Sequence, residues 1–140
     1  MNALLKNRIV VAIAALVILV IAWQLLNRED PRSLEHLSKV AAEMNKSVPV
    51  MIDPETELLP ITAAPGLLTY NYRLVNYSAA QLDPQKFAAG AKQRVTEGAC
   101  NRPETRDNFL KYGVTLRYSY FDKEKKPIVA VDVTPKDCGF

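Results

Sequence analysis

Eighteen consecutive residues, Ile9 to Leu26, read IVVAIAALVILVIAWQLL, with Gln24 as the only polar interruption. At 1.5 Å per residue a helix of that length reaches roughly 27 Å, close to the hydrocarbon thickness of a bilayer. A single transmembrane helix is the direct reading. A cleaved signal peptide is its rival, since Lys6 and Arg8 precede the run and Val20 with Ala22 offer small residues before a cut. The run exceeds the 7 to 15 residues of an ordinary signal core, and Trp23 lies where an interfacial aromatic belongs, so an anchor is expected. Lys6 and Arg8 are balanced by Arg28, Arg32 and Lys39 on the other side, which leaves charge undecided about orientation. The eight-residue tail is too short to be a domain, and the distal part carries two cysteines suited to an oxidising compartment. The expected layout is a cytoplasmic tail at 1–8, an inner-membrane span in contact with lipid at 9–26, and a periplasmic domain at 27–140.

Residues 27–140 have room for one domain and none for a dinucleotide-binding fold or a barrel. With Lys6 and Arg8 set aside, sixteen basic residues face fifteen acidic ones. That balance lacks the basic excess of a nucleic-acid-binding surface, and no nucleic-acid partner is expected.

Local patterns fill in the domain. Asp30-Pro31 is expected to open a helix, Asp30 capping and Pro31 at the first helical position, with Leu34, Leu37, Val40, Ala41 and Met44 forming its apolar stripe. Val48 to Ile52, interrupted by Pro49, reads as an edge strand. Leu58 to Ile61 reads as a short strand before the turn at Ala64-Pro65-Gly66. Between Leu67 and Tyr77 the residues Leu68, Tyr70, Tyr72 and Leu74 alternate with polar ones, which predicts a strand whose aromatic side faces the core. Asp83-Pro84 starts a second helix that carries Phe87, Ala88, Ala91, Val95 and Ala99 towards Cys100. Pro103 opens a short third one, stopped by Gly113.

The last third predicts a hairpin in which Leu116 faces Val133, Tyr118 faces Val131, Tyr120 faces Val129, Phe121 faces Ile128 and Arg117 faces Asp132. The fold class is therefore α+β: an antiparallel sheet of about 3–5 strands, covered on one face by helices and preceded by the apolar helix. The segments VPVMIDPETELL, LTYNYRLVNYS, GVTLRYSYFDKEKKP and VTPKDC together resemble small exported or membrane-anchored bacterial α+β proteins with no established activity. The resemblance covers about residues 40–138 and implies an envelope location.

Chemistry is sparse. Cys100 and Cys138, the only cysteines, are expected to form a structural disulfide, having neither redox C-x-x-C nor metal-ligand spacing. His36 borders the apolar stripe of the first helix and reads as a rim residue; Ser33 and Glu35 are merely its helix neighbours. Asp53, Glu55 and Glu57 lack the glycine and the spaced glutamate of a calcium loop and read as solvated turn acids. No metal, cofactor or catalytic residue is expected. The polar strand face with Asn71, Arg73 and Arg117 is the candidate interaction surface; Arg117 is expected to pair with Asp132, and the sequence supplies Arg73 with no partner. The functional expectation is a non-enzymatic envelope domain that binds another protein. The alternative is a small hydrolase of cell-wall material.

Overall fold

The computed structural model describes residues 3–140. Two compact units divide the chain, one ending at Asp30 and one running from Pro31 to Phe140. The first contains helix α1, Ala3–Leu26, of 24 residues and mean hydropathy 2.9. Its apolar side chains are exposed on every side, so it has no stripe that water-facing residues would complete. By length and composition it is able to cross a membrane.

The second unit is an α+β domain with a five-stranded sheet whose spatial order follows the sequence. Its strands are β1, Val50–Asp53; β2, Thr56–Ala64; β3, Leu67–Leu74; β4, Thr115–Phe121; and β5, Pro127–Val133. Helix α2, Leu34–Met44, packs on β2, and helix α3, Pro84–Asn101, packs on β5; α4, Pro103–Arg106, follows α3 directly. Every neighbouring pair is antiparallel except β3 and β4, which run parallel. The fully antiparallel expectation is thus corrected to a mixed sheet. Hairpin turns reverse the chain elsewhere, whereas the long link carrying α3 and α4 returns it to the end from which β3 started.

Alternation decides which side chains are inside. Leu68, Tyr70 and Leu74 of β3, Leu116, Tyr118 and Tyr120 of β4 and Val131 and Val133 of β5 are buried on one face. They meet Leu37 and Ala41 of α2 and Ala91 and Ala99 of α3. Leu116 pairs with Val133, Arg117 with Asp132, Tyr118 with Val131 and Tyr120 with Val129, as the apolar pattern requires. A register irregularity then seats Phe121 opposite Pro127 instead of Ile128.

The start of α2 differs from expectation. Ser33, not Asp30, is the N-cap, its Oγ accepting from the His36 N–H at 3.1 Å. Asp30 and Pro31 lie before the helix because the Arg32 carbonyl is taken by the Gly66 N–H at 2.7 Å. Gly66 and Gly113 both have positive φ, 67° and 87°, and a Cβ added at Gly113 would stand 3.3 Å from Cδ of Arg32. The Arg32 side chain therefore lies across two turns at one end of the sheet, where only glycine combines that backbone conformation with that closeness. By contrast, Asp83 caps α3 as expected, accepting from the Gln85 and Lys86 N–H groups ahead of Pro84.

Candidate functional site

The sheet face away from α2 and α3 brings the sequence-selected residues into register. Asn71 lies beside Ser119, Arg73 beside Phe121, and Thr69 beside Arg117. Arg117 makes the expected two-pronged pair with Asp132, Nε to Oδ1 at 2.8 Å and Nη2 to Oδ2 at 3.0 Å, which holds its pKa above the ordinary value. Arg73, however, is not without a partner. Its directly opposite residue on β2 is Glu57, whose Oε2 accepts from Arg73 Nε at 2.7 Å, while Nη1 donates to the Lys123 carbonyl at 3.1 Å. The amide of Asn71 donates to the Pro60 carbonyl at 2.8 Å, where the ladder between β2 and β3 slips. All three residues are therefore tied into the sheet. On this face both arginines are paired with carboxylates of the neighbouring strands.

Glu57 is correspondingly not a solvated turn acid. Neither is Glu55 isolated, since Oε1 accepts from the Tyr77 hydroxyl at 3.2 Å, and Asp53 Oδ1 accepts from the Glu55 N–H at 2.8 Å. Cys100 and Cys138 are bonded, joining the end of α3 to the residues after β5. The same corner is fastened by Lys92, which donates to Asp137 Oδ2 at 2.7 Å and to the Asp132 carbonyl. That contact and the Thr134 N–H hold the Asp137 carboxyl below its usual range. His36 is half-buried at the start of α2. Among the described residues, no group of three or more His, Cys, Asp or Glu side chains is placed to hold a metal.

On the helix side, β3 and β4 contribute four phenols. Tyr70 stacks on Tyr118 with ring centroids 5.2 Å apart, Tyr118 on Tyr72 at 6.0 Å, and Tyr72 leans on Tyr120 at 5.5 Å. Phe87 of α3 closes the row edge-on against Tyr120 at 5.0 Å. Burial pushes Tyr70 up to about 12 and raises Tyr72, Tyr118 and Tyr120 as well, while Arg102 opposes the rise in the first three and Arg94 in the fourth. Among the described residues, no side chain or backbone group is hydrogen-bonded to any of the four hydroxyls. Among the described residues the only buried, unpartnered side-chain polar atom is Thr96 Oγ1, so each phenol oxygen touches solvent.

No protein-family model matches the chain, and no curated protein matches it. Solved structures do. A Pseudomonas aeruginosa protein described as secreted has a TM-score of 0.65 at 19% identity, covering 75% of this chain and 91% of that one. The type II secretion pilotin EpsS of Vibrio vulnificus has a TM-score of 0.62 at 15% identity, covering 76% and 92%. The type II secretion pilotin AspS of Vibrio cholerae has a TM-score of 0.56 at 16% identity, covering 75% and 94%. The likeness is one of fold.

Three features of the site escaped the sequence reading. Glu57 reads in the sequence as one of the turn acids, although an acid on a strand one turn away from an arginine strand is a cross-strand partner in waiting. Asp122, one acid in a charged run between two strands, carries no sequence signal of burial, yet it is 1% exposed. Its carboxylate accepts from the N–H groups of Ala79, Glu124 and Lys126 at 2.8 to 3.0 Å. The phenol row was read as core, and most of each ring is; the available signal was tyrosine in place of phenylalanine at four alternating positions, a ring that carries a polar tip.

Proposed function

We propose that this protein is a membrane-anchored accessory domain of the cell envelope that works by binding another envelope protein and catalyses no reaction. Residues 9–26 lie in the inner membrane, residues 1–8 in the cytoplasm, and residues 27–140 in the periplasm. The apolar helix, the disulfide and a fold in common with two secretion pilotins support the placement. The observation that carries the binding role is the sheet face bearing Asn71, Arg73 and Arg117. Its side chains are half-exposed along a rigid element, and its charges are already paired, so a partner meets a preformed surface at little ordering cost.

Ser119 and Thr69 lie between the two ion pairs, so a photo-crosslinking residue placed at either samples a partner without breaking either pair. In intact cells it is expected to give one dominant adduct with a membrane or envelope protein, and a crosslinker at exposed Lys136 is not. Absence of any adduct from Ser119 and Thr69 would remove this surface as the binding site. Hydrolysis of cell-wall fragments by the purified full chain would replace the reading with the enzymatic one.

A further inference from the structure

The two edges of the sheet are finished differently. On β5, Pro127 opens the strand without an N–H, and Lys92 of α3 donates to the Asp132 carbonyl, two devices that discourage a further strand. On β1 all four residues are exposed, and Val50, Met51 and Ile52, at 42%, 48% and 50%, follow one another with no lysine among them. The direction of the backbone groups there follows from the ladder. The Val75 N–H donates to the Glu55 carbonyl at 3.0 Å, so the Glu57 backbone, two residues on, bonds to β3, and those of Thr56 and Leu58 bond to β1. Val50, opposite Leu58, therefore turns its backbone groups inward, whereas Met51, opposite Glu57, presents its N–H and C=O to the free edge. The Pro49 carbonyl points the same way, because it is trans to the inward Val50 N–H. Asp53 closes the strand; it is exposed, and among the described residues its carboxylate accepts only from the Glu55 N–H.

We propose that the β1 edge receives an extended segment of a partner protein as a sixth strand, with apolar residues along Val50, Met51 and Ile52 and a lysine or arginine opposite Asp53. The edge is rich in acceptors and poor in donors: Pro49 and Met51 offer two carbonyls against the single Met51 N–H, and an acid ends the row. Such an edge selects a basic segment. In an antiparallel pairing Met51 exchanges both its hydrogen bonds with one partner residue, which puts the basic residue on the N-terminal side of the apolar ones. A second copy of this chain fits less well. Pairing Met51 with its counterpart about a two-fold axis sets Pro49 across from Asp53, whose backbone is already turned to Thr56, so the ladder stops after two hydrogen bonds and leaves the acid unmatched. This inference rests on the reading of the domain as a protein-binding module and names the sheet edge, apart from the face that bears Arg73 and Arg117.

The test uses the full chain in phosphatidylcholine nanodiscs and fluorescein-labelled ten-residue peptides of alternating valine and threonine, preceded by a pair of lysines in one and of glutamates in the other. The lysine peptide is expected to bind with a Kd of about 100 μM or below, and the glutamate peptide at least tenfold more weakly. N-methylation of the two alternate peptide amides that meet the Pro49 and Met51 carbonyls is expected to abolish binding, which contact through side chains alone would survive. Asp53→Asn keeps the acceptor for the Glu55 N–H and is expected to reduce the preference for lysine several-fold. Ile52→Lys, at an exposed position, is expected to abolish binding of the lysine peptide with Tm unchanged. Equal binding of the two peptides, binding that tolerates N-methylation, or none up to about 1 mM would overturn the proposal. Reversible dimerisation of the parent chain in detergent, removed by Ile52→Lys, would overturn it too and give the edge to a second copy. If peptide binding fails while the Ser119 adduct persists, only the edge is lost; if both fail, the protein-binding reading falls with it.

Discussion

Two arginines on the open sheet face sit opposite carboxylates, and burial sets what each pair contributes. The Arg117 and Asp132 side chains are 41% and 38% exposed, so solvent screens them, and a double-mutant cycle with alanine is expected to give a coupling of about 1 kcal/mol or less. Arg73 and Glu57 are 26% and 18% exposed and Arg73 has a further carbonyl acceptor, so their coupling is expected to be the larger, about 1.5 kcal/mol. Urea denaturation of the singles and doubles measures both. Arg73→Glu, which would leave an unpartnered arginine site intact, here sets two acids face to face and is expected to lower Tm. Acid stability rests on other residues. Backbone N–H groups, that of Ala79 first, hold Asp122 below the ordinary carboxylate range, and Lys92 does the same for Asp137. A carboxyl depressed in the fold stabilises it fully above its unfolded value, about 4, and that contribution disappears as pH falls through the folded value. Tm is therefore expected to hold steady from pH 7 to 5 and to fall below about pH 4. In Asp122→Asn the loss should be present at pH 7, since an amide N–H₂ would face the Ala79 N–H, and the acid slope should be shallower.

Elements differ in how plainly the chain announces them, and the reasons are local. The hairpin of β4 and β5 was legible because a one-residue slip would turn Leu116, Tyr118 and Tyr120 outward, and α3 because Asp83-Pro84 combines a side-chain acceptor with a pre-set φ. The start of α2 was misread because Asp30-Pro31 offers the same combination; what overrode it, a carbonyl of Arg32 claimed by Gly66, is a contact between segments far apart in sequence. The parallel pairing of β3 with β4 was hidden for a like reason, since alternation reports which face is buried and says nothing of direction. The surface residues were picked by type, and type does not show that Arg73 has Glu57 opposite it. The disulfide closes a loop of 38 residues entirely within the part after β3. By loop entropy its removal in Cys100→Ser/Cys138→Ser is expected to cost at most about 4 kcal/mol, read as a lower urea midpoint that reductant does not move further.

For the molecule as a whole, the proposed topology predicts that alkaline phosphatase fused after Phe140 is active in intact cells, and that native protein isolated without reductant shows no free thiol until it is both unfolded and reduced. An inactive fusion would place the domain on the cytoplasmic side. The single parallel seam has a consequence of its own. Before it, α2 sits on β2 and the strands β1 to β3 follow one another by short turns; after it, α3 sits on β5, β4 and β5 form a hairpin, and the disulfide ties that part to itself. The two parts meet through the ladder between β3 and β4, the stacked tyrosines, the ties from Asp122 and Lys123 to Ala79, Tyr77 and Arg73, and the Arg32 side chain against Gly113, among other contacts. The domain is thus divisible: two polypeptides separated between Gln81 and Asp83 are expected, when mixed, to find each other and restore one folded body, a pair of halves whose reunion reports directly on the strength of the seam.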